Sequence, residues 1–310
     1  MTIILSVVLG VAALTGLVIF LGHSAFSVTP KPNTRTPEQL GLSSRDIYFH
    51  NLNDETLHGW WIPSPDSSAE SPAPNLVFIP GWRRNCQRML PYVASCQSLP
   101  VNMLVIEPRG HGENHKNNFI TEVGIAEDIN AAIDWLVLRP EVDIEKIGVI
   151  GHSFGAAAAI YETSRDKRVT AFVADASFAN PIGIIKRYFQ DYKIPYFPFG
   201  WLLRHYIQMR LGKTFNAIAP ENAIKTIDAP GLLIHGDQDT TVPVEDSERL
   251  LKNARENVQL WIAEGYDHSN TTDHPDFGRI LRNFLTNALI NRPVDIYRSQ
   301  SPGSFIPDLN

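Results

Sequence analysis

Six short apolar runs constrain the fold of this chain more than any other feature. They lie at residues 75–80 (NLVFIP), 103–106 (MLVI), 146–150 (KIGVI), 171–174 (AFVA), 231–234 (GLLI) and 258–262 (VQLWI). Runs that stay apolar rather than alternating with polar residues mark strands covered on both faces, as in a parallel sheet. Between them the periodicity turns helical. Ile125, Ile129, Ala132, Ile133 and Leu136 share one helix face, and further helices are expected near 244–253 and 275–289. Alternation of this kind predicts an α/β domain with a mostly parallel central sheet and helices on both faces. Two β-prone runs, 47–50 and 57–62, flank Asn53-Asp54-Glu55 and predict an opening hairpin.

One interval breaks the rhythm. More than fifty residues separate the strand ending near Asp175 from the one beginning near Ala229. An inserted cap of short helices, at about 178–220, accounts for that length. Its rings, among them Tyr188, Tyr196, Phe197, Phe199 and Trp201, either wall a substrate pocket or form the cap's own core.

The amino terminus reads differently. Residues 1–30 contain no Lys, Arg, Asp or Glu, and 3–22 form an apolar run of 20 residues. A helix of that length spans about 30 Å, the hydrocarbon thickness of a bilayer. Residues 1–26 are therefore expected to be a single-pass membrane anchor. A cleaved signal peptide is the alternative, but the basic n-region is missing and His23 sits badly for a cleavage site. Lys31 and Arg35 are the first charges after the run, so the positive-inside rule leans towards a domain facing the cytoplasm. Residues 27–44, with Pro30, Pro32 and Pro37, read as an extended linker. The catalytic domain is expected over 45–292, followed by a C-terminal tail at 293–310.

The chemistry-bearing motif is Gly151-His152-Ser153-Phe154-Gly155, directly after KIGVI and before an Ala-rich helical stretch. A sharp strand-to-helix turn lifts the serine hydroxyl out of the backbone, which makes Ser153 the candidate nucleophile. A serine needs a histidine base and a carboxylate to orient it. Asp237 and Asp239 follow the strand GLLI, and His268 follows the last strand. The order Ser, Asp, His is that of the α/β-hydrolase arrangement. His274, which begins the next helix, is the runner-up base.

On these motifs residues 45–292 resemble the α/β-hydrolase superfamily, and most of all its single-pass, membrane-anchored hydrolase-domain proteins and their bacterial relatives. The resemblance implies the α/β-hydrolase fold, with the cap inserted into it. The superfamily pattern HGxxDxxVP falls on His235 to Pro243 and selects Asp239 over Asp237. A G-x-x-H turn falls on Gly265 to His268. The loop D-x-R-G-x-G appears as Glu107-Pro108-Arg109-Gly110-His111-Gly112, with Glu in place of Asp, a change expected to bear on the loop's structure more than on the chemistry. The resemblance implies an oxyanion hole made by the backbone N–H groups of Phe154 and Trp82. At the second position relatives have His-Gly-x where this chain has Pro80-Gly81-Trp82.

The reading that follows is a membrane-tethered serine hydrolase acting on esters or thioesters with an apolar acyl chain. A peptidase or acyl-peptide hydrolase of the same fold, and a non-enzymatic membrane-tethered binding protein, are the alternatives. Arg83, Arg84 and Arg88 read as a solvated or headgroup-facing cluster, or as contacts to an anionic substrate group. No metal or nucleotide cofactor is expected, because metal-ligand spacings, P-loop and GxGxxG are missing from the sequence. A net charge of −6 offers no field for nucleic acid. Cys86 and Cys96 read as free thiols.

Overall fold

The computed structural model describes residues 27–115 and 119–291, together with positions 5, 6, 9, 10, 16, 17 and 20, which are helical. The N-terminal run expected as an anchor and the tail at 293–310 thus lie largely or wholly outside the described residues. Among the described residues, no helix is long and apolar enough to cross a membrane.

Eight strands form one sheet in the order β1-β2-β4-β3-β5-β6-β7-β8. The opening hairpin is β1 (Arg45–His50) and β2 (Thr56–Ile62), antiparallel to each other, with β2 antiparallel to β4 (Asn102–Ile106). From there the sheet is parallel: β3 (Ala73–Ile79), β5 (Val142–His152), β6 (Val169–Asp175), β7 (Gly231–Gly236) and β8 (Val258–Ala263). All six apolar runs are strands. Their burial on both faces explains the lack of alternation: every residue of β4, β6 and β7 is buried.

Helices cover both faces. Among them are α1 (Leu90–Cys96), α2 (Glu122–Val137), α3 (Phe154–Arg165), α4 (Pro181–Asp191), α5 (Trp201–Leu211), α6 (Phe215–Ile218), α7 (Pro220–Ala223), α8 (Val244–Asn253) and α9 (Phe277–Leu285). Thr121 caps α2 by accepting from the Gly124 N–H at 3.1 Å. Helices α4 to α7 occupy the interval between β6 and β7, so the inserted cap is there. Its rings divide between the outer face and the core. Tyr188, Tyr192 and Phe197 point outward, with Phe197 72% exposed. Inward the cap turns Ile185, Phe189, Ile207, Phe215 and Ile218.

The segment read as a linker contains a 3-10 turn at Pro37–Leu40 and lies against the domain. Val28 is buried in the core, Asn33 Nδ2 donates to Glu107 Oε1 at 2.5 Å, and Asn85 Nδ2 donates to the Lys31 carbonyl at 3.0 Å. Cys86 and Cys96 are free and buried.

Candidate active site

The elbow after β5 is where steric demand is greatest. Ser153 has φ 55° and ψ −117°, a left-handed conformation that few L-residues adopt. A Cβ on Gly151 would lie 2.4 Å from the Gly155 carbonyl oxygen. A Cβ on Gly155 would lie 2.5 Å from the Pro80 oxygen. The two glycines therefore let α3 close onto the ends of β3 and β5 and present the serine side chain above the sheet.

Three loops at the carboxyl ends of the strands meet there. His268 Nε2 lies 2.9 Å from Ser153 Oγ, and His268 Nδ1 lies 2.7 Å from Asp239 Oδ2. Asp239 Oδ1 accepts from the Thr241 and Val242 N–H groups, each at 2.8 Å, while His235 Nε2 stands 3.2 Å from Oδ2. Burial alone would push the Asp239 carboxyl up. Hydrogen bonds from His235 and His268, and the positive charge His268 can carry, outweigh that and hold it well below the usual carboxylate range. An ionised Asp239 keeps the proton on His268 Nδ1 and leaves Nε2 to accept from the serine hydroxyl. Asp237 is exposed and braces the neighbouring turn, accepting from the Gly265 N–H at 2.6 Å. His274 accepts from the Asp276 N–H at 3.0 Å and packs on Trp261 and Tyr266, as part of a turn.

The loop after β3 lies against the elbow. A Cβ on Gly81 would sit 3.1 Å from Ser153 Cβ, so glycine here lets the loop approach without displacing the elbow. The rings of Trp82 and Phe154 pack edge to face with centroids 5.1 Å apart, which ties the loop after β3 to the first residue of α3. As the first residue of α3, Phe154 has no intrahelical acceptor for its N–H. Arg83 donates its N–H to His111 Nε2 at 3.1 Å, tying the loop to the Glu107–Gly112 turn. In that turn Glu107 is fully buried and accepts from the Glu113 N–H at 2.5 Å, and Arg109 grips Asp128. Glutamate in place of aspartate thus serves the turn and has no contact with Ser153.

The sequence reading missed several supports. His152 is buried, and burial lowers its pKa well below the usual imidazole value, so it carries one proton. Its Nε2 lies 2.8 Å from the His268 carbonyl and 3.2 Å from Arg88 Nη2. Arg88, read as a solvated, headgroup-facing or anion-binding residue, instead donates to the Ser269 carbonyl at 3.0 Å. Asp175, at the end of β6, accepts from Tyr92 at 2.5 Å and Thr271 at 2.6 Å. These contacts hold both flanks of the loop that carries His268.

Beside the elbow, between it and the cap, opens a small apolar pocket. Phe154 and Phe178 line its floor; Ile184, Ile185, Ile207, Leu211, Phe215 and Ile218 line the cap side. Away from the elbow, His58, Cys86 and Glu107 bring potential ligand atoms within 4.8 Å of one another. Both His58 nitrogens already face carboxylates, Glu107 at 3.1 Å and Asp46 at 2.7 Å, and burial pushes the Cys86 thiol well up. The trio reads as a buried charge pair with an inert thiol.

The family model of the prolyl oligopeptidase family matches residues 94–289, which carry the elbow, the acid loop and the His268 turn. The chain belongs to the prolyl oligopeptidase family. It is an α/β-hydrolase enzyme of the serine-hydrolase type. The uncharacterized protein YfhR of Salmonella typhi is 25% identical over 273 residues, covering 84% of this chain and 85% of that protein. Among solved structures, the Pyrococcus furiosus esterase Pf2001 superposes with a TM-score of 0.69 at 23% identity, over 85% of this chain and 97% of that one. The Pyrococcus horikoshii acylaminoacyl peptidase superposes with a TM-score of 0.66 at 19% identity, over 84% of this chain and 44% of that one. At these identities the two likenesses speak for the fold.

Proposed function

We propose that this member of the family cleaves carboxylic esters or thioesters with an apolar acyl chain, through an acyl-enzyme on Ser153. His268 takes the Ser153 proton as Oγ attacks the acyl carbonyl. The Trp82 and Phe154 amides hold the oxyanion. His268 then protonates the departing alcohol or thiol, and water, deprotonated by the same imidazole, releases the acid. The observation that carries this reading is the Ser153–His268–Asp239 hydrogen-bonded line, with contacts of 2.9 and 2.7 Å, standing beside an apolar pocket. A panel of p-nitrophenyl esters, acyl thioesters and acyl-aminoacyl amides tests it. Higher kcat/KM on the esters and thioesters supports it. Higher kcat/KM on the amides would favour the peptidase reading, which draws on the family match and on the likeness to the acylaminoacyl peptidase.

We also propose that residues 1–26 anchor the enzyme in a membrane by a single pass, with the domain on the cytoplasmic side. The uncharged apolar run and the Lys31 and Arg35 that follow it support this. The full-length chain should stay in the pellet after alkaline carbonate extraction. A mature amino terminus near Phe26 would mean a signal peptide instead.

A further inference from the structure

One residue of the apolar pocket does not belong to its chemistry. Glu122 lines the pocket, is 3% exposed, and has no hydrogen-bond partner for either Oε1 or Oε2. Apart from it, the lining is Thr121, whose hydroxyl is engaged in capping α2, and apolar side chains. Buried side-chain oxygens are ordinarily paired, because leaving one unpaired costs about 1–3 kcal/mol. A residue of the pocket lining that carries two such oxygens points to a partner that arrives with the substrate.

Burial pushes the Glu122 carboxyl well above its usual range, and no cation offsets the shift, so the group is held as the acid. An acid offers one O–H donor and one carbonyl acceptor side by side. A hydroxyl satisfies both, accepting from the O–H and donating to the C=O. A ketone would leave the carbonyl oxygen unpaired. An ammonium brings three donors and a charge into a lining that is apolar apart from Glu122 and Thr121.

We propose that Glu122 is a specificity-determining residue that hydrogen-bonds a hydroxyl carried on the acyl chain, so that hydroxyacyl esters are preferred over plain acyl esters. The inference rests on the reading of this pocket as the acyl site.

The test is kcat/KM of the full-length enzyme on matched medium-chain p-nitrophenyl esters with a hydroxyl, an amino group or no substituent at successive chain positions. At one position the hydroxyl should raise kcat/KM about tenfold, the order expected of two net hydrogen bonds. Glu122→Gln, which keeps a donor and an acceptor, should retain the preference. Glu122→Leu should bring the ratio of hydroxyacyl to plain ester to about one or below. A wild-type enzyme that cuts plain esters but is indifferent to the hydroxyl at every position overturns the proposal without touching the acyl-enzyme reading. So does a preference that survives in Glu122→Leu. An amino-substituted ester favoured by the wild type and lost in Glu122→Gln overturns it in favour of a charge pair. Failure of every ester in the panel would refute the ester-hydrolase reading itself.

Discussion

Replacing Asp239 by asparagine tests the orienting carboxylate with little steric change. Oδ1 accepts from two backbone N–H groups at 2.8 Å, and Oδ2 faces His268 Nδ1 at 2.7 Å and His235 Nε2 at 3.2 Å. The amide that Asp239→Asn introduces must keep its oxygen on the two N–H groups, since its NH2 cannot accept from them. That places the NH2 against His268. The imidazole can then accept only by moving its proton from Nδ1 to Nε2, the atom that must take the Ser153 proton. A triad base held in the wrong tautomer costs about 10⁴ in kcat, or about 5 kcal/mol of barrier. The assay is kcat/KM on a p-nitrophenyl ester, together with the rate of fluorophosphonate labelling. Both should fall by about that factor. Asp237→Asn should change little, because an asparagine oxygen can still accept from the Gly265 N–H. A loss below tenfold in Asp239→Asn, or a larger loss in Asp237→Asn, would refute the tautomer argument.

Along a series of plain acyl esters, each methylene should raise kcat/KM by up to about fourfold, from ~0.8 kcal/mol per buried CH2, until the pocket fills. Ile207→Ala and Ile218→Ala, on the pocket wall, should flatten that slope, whereas Phe197→Ala, on the outer face, should not. Stability should also respond to His58. Burial opposes its charge, but hydrogen bonds to Glu107 and Asp46 raise its pKa from 6.5 to about 9. A raised folded pKa contributes stability that is full below pH 6.5 and lost as pH rises through about 9. The gap between wild type and His58→Gln in urea melts should therefore shrink by roughly 3 kcal/mol over that window, and a gap independent of pH would contradict it.

The middle of the sheet was legible because strands such as β4, β6 and β7 are buried on both faces and so read as unbroken apolar runs. β5 begins earlier than KIGVI, at Val142, since its polar opening residues lie outside the main ladder, apart from one pairing with Ala73. Helix α1 left no readable period, with Pro91 inside a stretch of seven residues. The positions of Ser153, Asp239 and His268 could be read because strand ends and motif order locate loops. Their supports could not. His152 acts through its ring on a carbonyl 116 residues away, and Arg88 through one 181 residues away, contacts without local periodicity. Glu122 sits in the first turn of α2, where an acid is the ordinary complement to the helix dipole, so its lack of a partner appears only in three dimensions. Which of the cap's rings turn inward was not legible, because aromatic content says nothing of which face of a short helix is buried.

The central claim is that Ser153 is the activated nucleophile. Its most direct test is mass-spectrometric mapping of the adduct left by a fluorophosphonate on the full-length enzyme. The account predicts one adduct, on the peptide containing Ser153, absent from Ser153→Ala together with ester turnover. Undiminished labelling or turnover in Ser153→Ala would contradict it.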